Sequence, residues 1–118
     1  METTLEILKA LSDMNRLRIV AALNRYEELC ACQITELLQV TGATASRHLS
    51  ILQHAGMLTS RKVGRWIHYR LTPPDGFDPV LQWLEKSFPQ SDQLEADRET
   101  LGEIVEITRE DLCRMQRG

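Results

Sequence analysis

No stretch of this sequence approaches the roughly 20 consecutive apolar residues that a membrane span needs. Its start, METTLEILKALSD, has neither the basic segment nor the long apolar core of a secretory signal. The expected location is therefore the cytoplasm. Glycine-rich phosphate loops and Ser/His/Asp groupings are missing as well. A thiol-dependent reductase of the C-x5-R kind is excluded by spacing, because Glu36 and Leu38 stand where Cys30 and Cys32 would each need an arginine, and Cys113 lies too near the end. No enzyme is expected, and no cofactor is called for. With 118 residues there is room for about one domain and one core, and 42% hydrophobic and 26% charged residues fit a globular chain.

Cysteine is scarce too, with three in the chain. An odd number without an export signal argues against a disulfide framework and for free thiols that bind metal or react. Acidic residues are absent from one segment only. Residues 1–40 carry four basic and six acidic side chains, 41–70 five basic and none acidic, and 71–118 five basic and eleven acidic. The net charge of −3 thus hides a basic island that also holds His48, His54 and His68. Such an island suits phosphates.

Periodicity places helices around that island. Leu5, Ile7, Leu8 and Leu11 follow helical spacing, and Asp13 is placed to cap a second helix bearing Leu17, Val20, Ala21 and Leu23. After a polar stretch, Ile34, Leu37 and Leu38 give a short third helix that stops at Val40-Thr41-Gly42. Thr41 is a good cap for a fourth, running to Gly56. Short helix, tight turn, second helix is the helix-turn-helix outline, and the fourth helix has the polar N-terminal half a recognition helix needs. From Met57 to Leu71 the period becomes two, with Gly64 at a hairpin turn and Arg61, Lys62 and Arg65 around its tip. Thr72 to Gly76 breaks the chain, and Phe77 to Phe88 reads as a helix ended by Pro89. From about Ser91 one continuous helical stripe carries Leu94, Leu101, Ile104, Val105, Leu112 and Met115, with Gly102 inside it. The expected fold is mainly α with a β-hairpin. Residues 1–89 are expected to form a winged helix-turn-helix, and 90–118 a C-terminal helical extension.

Three ordered segments, LKALSDMNRLRIVAAL, TGATASRHLSILQHAGML and SRKVGRWIHYRL, resemble the ArsR/SmtB winged-helix metalloregulators over roughly residues 5–72. Met14 departs from the proline usual there. The resemblance implies a transcriptional repressor, a homodimer that binds an inverted repeat of operator DNA and leaves it when an inducer binds. Its dimerisation helices, the first and fifth, would lie within residues 1–89, and the extension at 90–118 would either lengthen the dimer interface or fold back over the domain. The DNA-contacting residues expected are Thr41, Ala43, Thr44, Ser46, Arg47 and His48 of the recognition helix and Arg61, Lys62 and Arg65 of the wing. Arg47 suits guanine or a phosphate.

Glu28-Leu29-Cys30-Ala31-Cys32-Gln33 resembles the ELCxCD stretch of the arsenic-responsive branch, which implies trivalent arsenic or antimony as inducer. Soft metalloids prefer thiolates. Residues two apart on a helix point about 200° from each other, so Cys30 and Cys32 chelate one ion only if that turn distorts, which would shift the recognition helix. The plain alternative is that Cys30 is a small buried apolar residue aligned with Ile34 and Leu37. The family's third cysteine is here Thr35. A third donor would come from Cys113, another subunit, or a small-molecule thiol or water, and Cys113 equally fits a structural role. Oxidants, cadmium and lead are alternative signals for the same thiols. Zinc sensing is not expected, since Asp78-Pro79-Val80 and the histidine-free remainder lack the family's fifth-helix ligands.

Overall fold

The protein, seen in a computed structural model that describes residues 2–117, is a winged helix-turn-helix whose C-terminal helices close back on it. Helix α1 (Glu2–Leu11) buries Ile7, Ala10 and Leu11 and leads into α2 (Met14–Arg25). Asp13 caps α2 as its sequence position suggests, accepting from the Arg16 amide at 3.1 Å. Met14, at the first helical position, is compatible with that start.

Strand β1 (Leu29–Cys30) was not anticipated. It pairs antiparallel with β3 (Trp66–Leu71), Leu29 opposite Tyr69 and Cys30 opposite His68, and β2 (Leu58–Val63) pairs on β3's other side. The sheet order is β1-β3-β2. Two residues are too few to show a period, so only tertiary pairing reveals this strand. The wing has its expected hairpin turn, here of two residues between the paired Val63 and Trp66, with Gly64 at φ 62°, a region that suits glycine.

Helix α3 (Ala31–Leu38) ends at Gln39, which adopts a left-handed φ of 55°, and α4 (Gly42–His54) starts at the Thr41 cap, whose hydroxyl accepts from the Thr44 amide at 3.1 Å. Gly56 follows α4 with φ 85°. Helix α5 (Asp78–Ser87) runs into a single 3-10 turn at Phe88–Gln90.

Beyond residue 90 the expected single helix is two. Helix α6 (Asp92–Ile104) stops short of Thr108, and α7 (Arg109–Arg117) starts there, with the Thr108 hydroxyl accepting from the Asp111 amide at 3.2 Å. Periodicity missed the break because Leu101 and Leu112 lie three turns apart and share a stripe either way. The local signal was Thr108 followed by Glu110 and Asp111, a helix cap with an acidic first turn. Both helices fold back. Leu101, Ile104 and Leu112 are at most 4% exposed in the cluster that also holds Ile19, Ile34, Leu49, Leu52 and Met57. Met115, expected on that stripe, is 59% exposed. No helix among the described residues is long and apolar enough to cross a membrane.

Candidate nucleic-acid interface and thiol site

Helix α4 divides its residues as amphipathic spacing dictates. Ala45, Leu49 and Leu52 pack inward, while Ala43, Ser46, Arg47 and Ser50 face solvent. Thr41 and Thr44 satisfy each other at the helix start, hydroxyl to hydroxyl at 3.0 Å.

His48 is a correction. Expected among the DNA contacts, it is 5% exposed. Three residues after Ala45 and four before Leu52, it shares their inward face. Arg16 Nη1 lies 3.2 Å from its Nδ1, and Asp13 Oδ2 lies 3.9 Å from the same atom. An arginine can only donate, so Nδ1 accepts and the ring is neutral. Burial holds the imidazole below its ordinary pKa, opposed by Asp13 and aided by Arg16 and Arg47.

The wing presents Arg61, Lys62 and Arg65 to solvent, but two of the three already have partners. Glu28, at the edge of β1, accepts twice from Arg61, at 2.8 Å from both Nε and Nη2. Arg65 lies over the Trp66 ring, 4.8 Å from its centre. Hydrogen bonding from Arg61, with its opposite charge, holds Glu28 below the usual carboxylate range against the effect of desolvation.

The cysteines lie around the start of α3 and on α7. Cys30 caps α3 in an extended conformation, φ −83° and ψ 160°, with its amide donating to Gln33 Oε1 at 2.8 Å, and it is 1% exposed. It is therefore not helical, and the requirement that α3 distort to bring Cys30 and Cys32 together loses its premise. Cys32, in the first turn of α3, instead meets Cys113 of α7 with sulfurs 2.6 Å apart. Gln116 closes the contact by donating to the Cys32 carbonyl at 2.9 Å. All three cysteines are free, and no group of three or more His, Cys, Asp or Glu among the described residues is disposed to hold a metal ion. Cys32 and Cys113 are brought into contact, and Cys30 lies buried beside Cys32.

Burial pushes the Cys32 thiol up to about 12, with Cys113 and then Cys30 adding to the rise. Cys30 thus lies near enough to Cys32 to act on its thiol. The pair opens on a cleft of about 530 Å³ that reaches from Thr35 and Glu36 to Thr41 and Gly42, the turn of the helix-turn-helix. Thr35, where the family's third cysteine would be, lines it and donates to the Ala31 carbonyl at 2.7 Å.

Arg109 was missed altogether. From the first turn of α7 it reaches the wing, with Nη1 2.7 Å from His68 Nε2 and its guanidinium 4.5 Å from the Trp66 ring centre. Sequence gave no signal for this contact, since it joins residues 41 apart across a break that periodicity does not show.

The bacterial regulatory protein arsR family matches this chain over residues 13–60, from the α2 cap to the first residues of the wing. An arsenical resistance operon repressor of Escherichia coli (strain K12) is 42% identical over 69 residues, 58% of this chain and 59% of that protein. A cadmium resistance transcriptional regulatory protein homolog of Staphylococcus aureus is 36% identical over 83 residues, 70% of this chain and 65% of that protein. The matched stretch thus spans under two thirds of these relatives. Among solved structures, an antimony-specific transcriptional repressor aligns with a TM-score of 0.61 and 26% identity over 79% of this chain and 80% of that one.

Proposed function

Because the chain carries an ArsR-family winged helix-turn-helix, we propose that it is a transcriptional repressor that binds operator DNA as a homodimer and releases it when trivalent arsenic or antimony engages its thiols. The observation that carries this reading is the Cys32–Cys113 contact at 2.6 Å, beside the turn that sets the recognition helix. The names of the arsenical repressor and the antimony-specific repressor favour the same class of inducer.

DNA reading falls to the exposed residues of α4, namely Ala43, Ser46 and Arg47 with Thr41 and Thr44 at the cap, and to Arg61, Lys62 and Arg65 of the wing. Pairing of two chains falls to α1 and α5. Leu5 and Leu8 are 47% and 53% exposed, Val80 and Trp83 39% and 67%, and α5 buries no residue of its own. Such unpartnered apolar faces suit a subunit interface.

Cys32 and Cys113 are the donors that fit the inducer, with Cys30 the nearest further thiol. A trivalent metalloid hydroxide supplies exchange chemistry there: each thiol replaces one hydroxyl, and its proton departs in a water molecule, without oxidation or reduction. That suits a thiol held protonated by burial. A bare dication must displace the proton itself, so the raised Cys32 pKa weighs against cadmium, although a cadmium regulator is among the relatives.

A second reading rests on the same contact. Two thiols and one peroxide give one disulfide and two waters, so the Cys32–Cys113 pair also suits oxidant sensing. It stands second because attack on peroxide needs the thiolate, which the high Cys32 pKa disfavours.

The test is fluorescence anisotropy of the reduced protein on DNA from upstream of its own gene, titrated with arsenite, antimonite, cadmium and peroxide. Arsenite or antimonite should release the wild type and fail with Cys32→Ser and Cys113→Ser. Release by peroxide alone would put the second reading first. DNA binding that no agent reverses would end both.

A further inference from the structure

Helix α7 has one working face. Arg109, Leu112, Cys113 and Gln116 recur at i, i+3, i+4 and i+7, the spacing of a single helix side. Each has a partner outside the helix or lies in the core. Leu112 is fully buried, Cys113 meets Cys32, Gln116 donates to the Cys32 carbonyl and reaches Glu36, and Arg109 holds the wing. Glu110, Asp111, Arg114 and Met115 face solvent.

What Arg109 holds is informative. Its Nη1 sits 2.7 Å from His68 Nε2, and because arginine can only donate, the His68 ring is neutral there and its other nitrogen faces Glu28 at 3.5 Å. Glu28 in turn holds Arg61 at two points. The Trp66 ring also takes both the Arg109 and the Arg65 guanidinium, at 4.5 and 4.8 Å from its centre. Arg65 and Cys113 also line one small cavity of about 220 Å³. Two of the wing's three tip cations are therefore linked through Arg109 to the helix that carries Cys113.

We propose that α7 is a strap through which the thiol pair is read at the wing, with Arg109 as the positioning residue that fixes Trp66 and His68 while Cys113, one turn along the same face, sets whether that hold is kept. The inference deepens the thiol-sensing reading and rests on it for the nature of the signal. It does not rest on it for the coupling itself, which is a property of the helix. A change in spacing at the Cys32–Cys113 contact moves a short rigid helix, and its first turn carries the wing with it. Movement of the wing alters Arg61 and Arg65 together.

Coupling between two sites is reciprocal, so it is measurable from either end. From the thiol end, arsenite should shift the emission of Trp66 in a Trp83→Phe protein, in which Trp66 is the only tryptophan. Arg109→Gln should abolish that shift, and Arg109→Lys should restore part of it. From the wing end, with no metalloid present, Arg109→Gln should speed alkylation of Cys113 by iodoacetamide, scored by peptide mass spectrometry, within the roughly 5- to 150-fold range of ordinary coupling. A purely structural arginine would not move Cys113 reactivity while leaving the unfolding midpoint of the Arg109→Lys protein intact.

Equal alkylation rates in wild type and Arg109→Gln, with an unchanged Trp66 response to arsenite, would overturn the strap even if arsenite still releases DNA. Failure of arsenite to protect Cys32 and Cys113 from alkylation would instead end the metalloid reading, and the alkylation comparison would still decide the strap.

Discussion

Arg18 of α2 and Asp97 of α6 form a two-point ion pair, Nε to Oδ2 at 2.7 Å and Nη2 to Oδ1 at 3.0 Å, with both side chains about nine-tenths buried. The same guanidinium donates to the Leu37 carbonyl at the end of α3 and to Asn15, so one side chain ties the C-terminal region to α2 and α3. Gln93 donates to the remaining face of Asp97 at 2.9 Å.

Removing one partner leaves the other charge buried without compensation. Asp97→Ala should destabilise the fold by about 3 kcal/mol, whereas the worth of the pair against a well-packed apolar substitute is far smaller. Urea unfolding followed by circular dichroism measures this. A loss below about 1 kcal/mol would mean that the pair behaves like a solvated surface bridge.

His48 makes stability depend on pH. Its folded pKa lies below the unfolded value of 6.5, so the folded state binds this proton less readily than the unfolded chain. The stabilisation is therefore complete above about 6.5 and is lost as pH falls through the lowered folded value. His68 is shifted the same way, by burial with Arg109 and Arg61 acting against Glu28, and adds to the same window. Unfolding midpoints should fall as pH drops below about 6.5, and His48→Asn should flatten part of that fall. An unchanged pH profile in His48→Asn would show that the buried imidazole is not the group responsible.

How much of this was legible beforehand depended on how local each signal is. Asp13, Thr41, Gly56 and Gly64 could be assigned from sequence because caps and tight turns act over three or four residues. The wing followed from its period of two. Facing was harder: His48 sits among polar residues, and only the positions of Ala45, Leu49 and Leu52 on the same helix tell that it points inward. The thiol site was half legible, since a Cys-x-Cys pattern marks reactive sulfur without saying which sulfurs meet. Cys32 and Cys113 are joined by the fold-back of α7, a contact between residues 81 apart. That fold-back depends on a helix break that the hydrophobic stripe conceals.

The division of α4 yields a contrast in DNA binding. Arg47, exposed on the recognition helix, should on substitution by alanine weaken operator binding roughly 5- to 150-fold if it pairs with a base, with relaxed sequence preference at that position. Lys62→Ala should weaken all sequences alike and reduce the slope of log affinity against log salt by about one. Titrations at several salt concentrations on operator and scrambled DNA separate the two. If Lys62→Ala leaves the salt slope unchanged, the wing makes no phosphate contact at that position.

The raised pKa of Cys32 also distinguishes kinds of inducer by their response to pH. At neutral pH this thiol carries its proton, being pushed up to about 12 by burial and its sulfur neighbours. A dication that binds the thiolate releases that proton, so its apparent affinity should rise about tenfold per pH unit for each thiol deprotonated. Arsenous acid between pH 6 and 8 is neutral and loses its hydroxyl as water together with the thiol proton, so no net proton is released and the slope should be near zero. Titrating DNA release with arsenite and with cadmium at pH 6, 7 and 8 measures both slopes on one protein. A steep arsenite slope would mean that the thiols enter as thiolates and that the high Cys32 pKa is relieved before binding; a flat cadmium slope would place cadmium on groups other than Cys32.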